Sequence, residues 1–145
     1  MHKHLTAFTL TLAAAFAGSA FAADGMDKAA YKSAKDKIEE QAKADKKACE
    51  SMKENAKDVC QAEAKAKEKI AKAELDAQNK PGAKADEKVR MMKAEGEYEV
   101  AKEKCEDQKG KEMAACKKDA KVAYDKAKAD ARQATAPAAA PAKKS

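Results

Sequence analysis

Four cysteines, Cys49, Cys60, Cys105 and Cys116, carry the widest choice of chemistry in this 145-residue chain. As thiolates they could hold a soft metal or exchange disulfides; oxidised, they would staple one segment to another. They form two pairs of equal spacing, 49 with 60 and 105 with 116. Structural zinc sites use spacings of about two to four residues within a pair, and so long an interval along one helix cannot bring two thiols to one ion. A thiol relay generally needs Cys-x-x-Cys, which is absent. Disulfide stapling is therefore the expected role of all four, with thiol redox or metal binding as the lesser alternative. Met91 and Met92, with Met52 and Met113, could serve a soft metal or an adaptable client surface, but such residues more often fill a helical seam. Scattered Asp and Glu show no calcium-loop pattern.

The only two histidines, His2 and His4, fall in a segment that reads as a secretory signal over residues 1–22. Lys3 makes a basic start, Leu5 to Ala17 is an apolar run, and Ala20-Phe21-Ala22 is an Ala-x-Ala cleavage site, so the mature chain is expected to begin at Ala23. The run is shorter than the roughly 20 residues that span a bilayer. There is no twin-Arg pair and no Cys at the processing site, which points to the general secretory route without acylation. The expected address is the periplasm of a Gram-negative bacterium, with a Gram-positive exterior as the alternative. No second apolar stretch follows, so no integral membrane segment is expected in the mature chain. Without an imidazole, that chain loses the usual machinery for proton shuttling, triads and His-based metal sites.

Composition narrows the fold. The chain holds 31 Lys+Arg against 25 Asp+Glu, a net charge of +6, and 39% of its residues are charged. The 44% hydrophobic share overstates its apolar content, because 38 of those residues are Ala. From Ala23 onward the large apolar residues are four Val, two Ile, one Leu, five Met and three Tyr, with no Phe and no Trp. A conventional globular core is excluded.

The elements that must position the cysteines are helical by propensity. From Asp27 to about Gln78 there is neither Pro nor Gly, and Ala, Lys, Glu, Asp and Gln dominate. Asn79-Lys80-Pro81-Gly82 reads as a turn. Helical composition resumes from Ala83 to about Gln133, weakened at Gly96 and Gly110 by about 1 kcal/mol each relative to Ala. Ala134 to Ser145, with Pro137, Pro141 and a Lys143-Lys144-Ser145 end, reads as a disordered basic tail. Glu39 with Lys43, Glu63 with Lys67, Glu68 with Lys72, Asp86 with Arg90 and Asp107 with Lys111 are acid-before-base pairs four apart. Each supports its helix by up to about 0.5 kcal/mol. Tyr31, Ile38, Met52 and Val59 fall on a seven-residue repeat interrupted at Asp45, with Ala42, Cys49, Ala56 and Ile70 beside them. Such a thin, Ala-rich seam lets helices approach closely while burying little area.

On two unbroken helices, the members of each cysteine pair lie about 16 Å apart along the axis, too far for a bridge within a pair. Cys49 with Cys116 and Cys60 with Cys105 share a midpoint between Gly82 and Ala83, beside the turn. Cys49 with Cys105 is centred on Ala77 and Cys60 with Cys116 on Lys88, two centres that one pair of straight antiparallel helices cannot satisfy. The expected fold is thus all-α: a long, coiled-coil-like antiparallel hairpin over 23–133, stapled by Cys49–Cys116 and Cys60–Cys105. The inner bridge would contribute about 4 kcal/mol. This register sets Met52 opposite Met113, Ala42 opposite Ala123, Glu63 opposite Lys102 and, less favourably, Ile70 opposite Glu95. Cys49-Glu50, Lys53 and Cys60 match Cys105-Glu106, Lys109 and Cys116, as a duplicated helical unit would.

The stretch Ala30 to Ile38, the run Asn55 to Cys60, Glu63-Ala64-Lys65 and the segment Lys69 to Gln78 resemble a family of small, Lys/Ala-rich, cysteine-containing periplasmic proteobacterial proteins. Members are often labelled "cell envelope biogenesis protein TolA", after the Ala-, Lys- and Glu-rich central helix of TolA. The second cysteine segment departs from the pattern over Gly110 to Ala115. The resemblance implies a helical fold and a periplasmic address, and no activity; TolA's energy-transducing role is not carried over.

These readings converge on an exported, non-catalytic structural or interaction protein of the cell envelope, not an enzyme and without a cofactor. Charges of both signs are interspersed and no aromatics interleave them, so nucleic acid is not an expected partner. A solvated helix face is the default reading of that basicity; its functional alternative is weak attraction to anionic envelope polymers or acidic client proteins, and an oligomer stays open. The first alternative is a periplasmic holdase-like chaperone or stress protein, and the second is the thiol redox or metal protein weighed above.

Overall fold

The structure, a computed structural model, describes residues 25–134. The expected cleavage residues Ala20, Ala22 and Ala23, and the tail from residue 135, lie outside the described residues. Within them the chain is all-helical: α1 (Lys28–Ala48), a single 3-10 turn (Cys49–Ser51), α2 (Glu54–Asn79), α3 (Ala83–Cys105) and α4 (Gly110–Gln133). Asp27 starts α1 by accepting hydrogen bonds from the Ala29 and Ala30 amides at 2.9 Å, which satisfies two of the donors left open at a helix N-terminus. Pro81 and Gly82 separate α2 from α3, and the Gly82 carbonyl accepts from the amides of Ala85 and Asp86.

The two long helices expected over 27–78 and 83–133 are corrected to four. Each expected helix breaks inside its cysteine pair. At the first break Met52 and Lys53 are extended and Glu54 is left-handed, with φ 52°. At the second Lys109 is extended and Gly110 has φ 59°. Lys53 with Lys109 and Glu54 with Gly110 are separated by the same number of residues as Cys49 with Cys105 and Cys60 with Cys116. The backbone thus repeats the likeness of the two cysteine segments. Glycine takes the left-handed geometry freely, whereas for a residue with a Cβ it costs about 1–2 kcal/mol, so Glu54 sits in the costlier copy of the break.

Among the described residues each helix contacts only its neighbours in sequence: α1 meets α2, α2 meets α3, and α3 meets α4. Between α2 and α3, Glu63 pairs with Lys104 (3.6 Å), Lys69 with Glu95 (2.6 Å), Glu74 with Lys93 (2.8 Å) and Asp76 with Lys88 (2.6 Å), numbers rising on one helix as they fall on the other. α1 meets α2 through Lys46 with Glu68 (2.6 Å), Glu39 with Lys72 (3.3 Å) and a hydrogen bond that Tyr31 donates to Asp76 (2.6 Å). α3 meets α4 through the stacked rings of Tyr98 and Tyr124, 4.8 Å apart, and through Arg90, which donates to the Ala131 carbonyl at 3.4 Å. Since α1 and α4 make no contact among the described residues, the expected opposition of Ala42 with Ala123 is also corrected. Ala42 is buried, and Met52 is exposed beside the first break.

Alanine and cysteine make the core. Its buried members are Ala42, Ala62, Ala64, Ala66, Ala73, Ala94 and Ala131, with Cys49, Cys105 and a single larger side chain, Leu75. Small side chains permit close helix contact, carried furthest at Gly96, where an added Cβ would lie 2.8 Å from the Ala66 Cβ. The same smallness limits hydrophobic gain to about 25 cal/mol per Å² of a modest buried area. No polar side chain is buried among the described residues, so the many charges remain hydrated.

Candidate functional site

The four cysteines form two disulfides, but not those expected. Cys49 is bonded to Cys60, with Cα atoms 5.6 Å apart, and Cys105 to Cys116, with Cα atoms 5.7 Å apart. The expected Cys49–Cys116 and Cys60–Cys105 pairing is overturned, and the reason lies in the backbone. A bridge within a pair is out of reach only while a straight helix runs through the interval between its two cysteines. The extended residues at 52–53 and the turn at 106–109 fold each interval back on itself, bringing its ends within disulfide reach. Both bridges still join different helical segments. All four sulfurs are consumed, and disulfide sulfur offers no thiolate to a metal. Cys49 and Cys105 are buried, while Cys60 and Cys116 are partly exposed.

The register of α2 on α3 gathers the two staples at one end. Glu63, one turn beyond Cys60, pairs with Lys104, the neighbour of Cys105, far along the helices from Pro81. There Asn55 in the first turn of α2 donates to the Glu103 carbonyl near the end of α3, at 2.8 Å. This hydrogen bond ties the first break to the helix end that opens the second.

Beyond the staples, the seam between α2 and α3 opens on both sides. One side is polar, a cleft of about 210 Å³ with Asp58, Gln61, Lys65, Lys69, Glu99 and Glu103 around Ala62 and Ala66. The other is apolar, a groove of about 360 Å³ with Ala66, Ile70, Gly96, Val100 and Ala101 at its floor and walls and Glu63, Lys67, Glu97 and Lys104 at its edges. No residue of α1 or α4 lines it. The close Ala66–Gly96 contact brings the two backbones together and keeps the groove shallow. Of its apolar lining residues, Ile70 stood out in the sequence as a seam position and Gly96 as a weak point of its helix. Gly96 and Val100 one turn apart on α3, with Ala66 and Ile70 one turn apart on α2, are the spacing that marks this surface.

Charge is arranged in surface pairs. Glu68 accepts from Lys46 and from Lys72, and these hydrogen bonds hold its carboxyl down to about 2 from the ordinary 4.5. Asp76 is likewise held below the usual carboxylate range by hydrogen bonds from Lys88 and Tyr31, and the bond to Asp76 raises the Tyr31 phenol in turn. Among the described residues, no three of His, Cys, Asp and Glu converge as a metal site would require. No helix among them is long and apolar enough to cross a membrane. The arrangement offers covalent restraint at one end and an apolar, charge-edged groove along the middle.

No protein-family model, curated protein or solved structure matches this chain.

Proposed function

We propose that this chain is an exported, non-catalytic structural or interaction protein of the bacterial cell envelope, a disulfide-stapled, coiled-coil-like array of successive antiparallel helices. The observation that carries this reading is the oxidation of all four cysteines inside an alanine core too thin to hold four helices by burial alone. Disulfides persist in oxidising compartments, which fits the secretory reading of residues 1–22 and the periplasmic address that the family resemblance implies. Interspersed surface charge suits a role among anionic envelope polymers or client proteins.

The test is an intact mass and non-reduced peptide map of protein taken from a native envelope fraction, with thiols alkylated at lysis. The expected result is an N-terminus at Ala23 with Cys49 linked to Cys60 and Cys105 linked to Cys116. Recovery of the chain in the cytosol with four alkylated thiols would sink the proposal.

The apolar groove, together with Met52 at 44% exposed, favours one second reading, a holdase-like chaperone. That reading predicts suppression of client aggregation at stoichiometric amounts, abolished by Ile70→Asp.

A further inference from the structure

We propose that the apolar groove between α2 and α3 binds the same groove of a second copy of this chain, face to face. The inference rests on the reading of the protein as an interaction module and names its partner. The groove's centre is apolar and shallow, walled by Ile70 and Val100 over a floor of Ala66, Gly96 and Ala101. Neither outer helix covers it.

Its edges select the partner. Moving away from the disulfide end, the α2 edge reads Glu63 then Lys67, and the α3 edge reads Lys104 then Glu97. Signs therefore alternate around the four corners. A uniformly acidic or basic partner would meet like charge at two corners. A second copy, turned about a two-fold axis lying along the groove, sets its Lys104 against Glu63 and its Glu97 against Lys67, and the reverse pairs follow by symmetry. All four corners then meet opposite charge, while Ile70 and Val100 find small residues across the interface. Glu63 and Lys104 already lie 3.6 Å apart within one chain, with side chains 45% and 59% exposed, so both have room to engage a facing charge.

Sedimentation velocity on the oxidised protein, purified from an exporting host, tests this across a concentration series. The expected result is a reversible monomer–dimer equilibrium that strengthens at low salt, since exposed charge pairs are screened as ionic strength rises. Glu97→Lys sets like charge against Lys67 of the second copy at both symmetric contacts and should weaken the dimer about tenfold. Lys67→Glu should do the same. An equimolar mixture of the two variants restores opposite charge at every corner and should dimerise within about threefold of the parent protein. Val122→Asp, on α4 and outside the groove, serves as a control that leaves the equilibrium unchanged, and circular dichroism verifies that each variant stays helical.

A monomer at every concentration overturns the proposal, as does a dimer untouched by Glu97→Lys and Ile70→Asp, or a mixture that fails to restore association. Capture of an amphipathic client peptide by a chain that stays monomeric overturns it too. The peptide map above fails independently of these outcomes, so the loss of one reading is distinguishable from the loss of the other.

Discussion

Insertion of a specific protease site after Gly82 would show what each staple holds. Because both disulfides close within one side of the turn, cutting there should release two fragments that separate on a denaturing gel without reductant. Had Cys49 joined Cys116 and Cys60 joined Cys105, the fragments would stay linked until reduced. The energetics follow from the same connectivity. Each bridge closes a loop of sequence separation 11, for which chain entropy gives about 3 kcal/mol, below the about 4 kcal/mol of a bridge spanning the whole hairpin. The loops share no residues, so the contributions should add. Replacing Cys49 and Cys60 with Ser should cost about 3 kcal/mol in urea unfolding followed by circular dichroism, Cys105 and Cys116 should cost about the same, and all four together about twice that. Fragments that remain joined without reductant would refute the connectivity. A four-cysteine variant no less stable than either double variant would refute the independence of the two loops.

Four further outcomes follow from single residues. Glu54→Gly relieves a left-handed residue at φ 52° and should raise stability in thermal unfolding by up to about 1 kcal/mol. Gly110→Ala, at φ 59°, should lower it by at least as much, and thermal shifts of the reverse signs would overturn the comparison of the two breaks. Gly96→Ala gains about 1 kcal/mol of helix propensity but drives a Cβ to 2.8 Å from that of Ala66. Overpacking of that kind costs up to about 3 kcal/mol. A net loss is therefore expected, rescued by Ala66→Gly, and net stabilisation would show that the helices part at little cost. Glu68, with its carboxyl depressed to about 2 in the fold, contributes stability that is full above about 4.5 and lost as pH falls towards 2. Its lysine partners are more than a third exposed, so screening limits the contribution to about 1 kcal/mol. Acid titrations of the parent and Glu68→Gln should diverge above pH 4.5 and converge near pH 2.

Much of the architecture is legible in local chemistry. Long runs of Ala, Lys and Glu without Pro or Gly favour helix by propensity, and Pro81 with Gly82 interrupts them for reasons internal to those two residues. The alternation of acidic and basic residues foretold ion pairs but not their partners. Glu68 pairs with Lys72 on its own helix as spacing requires, yet it also accepts from Lys46 of α1, a contact that exists only once α1 lies on α2.

The breaks within the cysteine pairs are of the second kind. Ser51-Met52-Lys53 contains neither Pro nor Gly, and by propensity the helix should run through it; Gly110 marks the other break only weakly. Leaving the helix there places Glu54 in a left-handed conformation, which no local preference rewards. What offsets that cost is tertiary. Folding back lays α1 on α2 and α4 on α3, buries Ala42 and Ala131, and brings Cys49 within reach of Cys60 and Cys105 within reach of Cys116. Sequence alone therefore determined that the chain is helical, alanine-cored, highly charged and suited to disulfides. Only the tertiary structure decided which cysteines meet, because a disulfide depends on the distance between two Cα atoms, and that distance depends on where a helix ends.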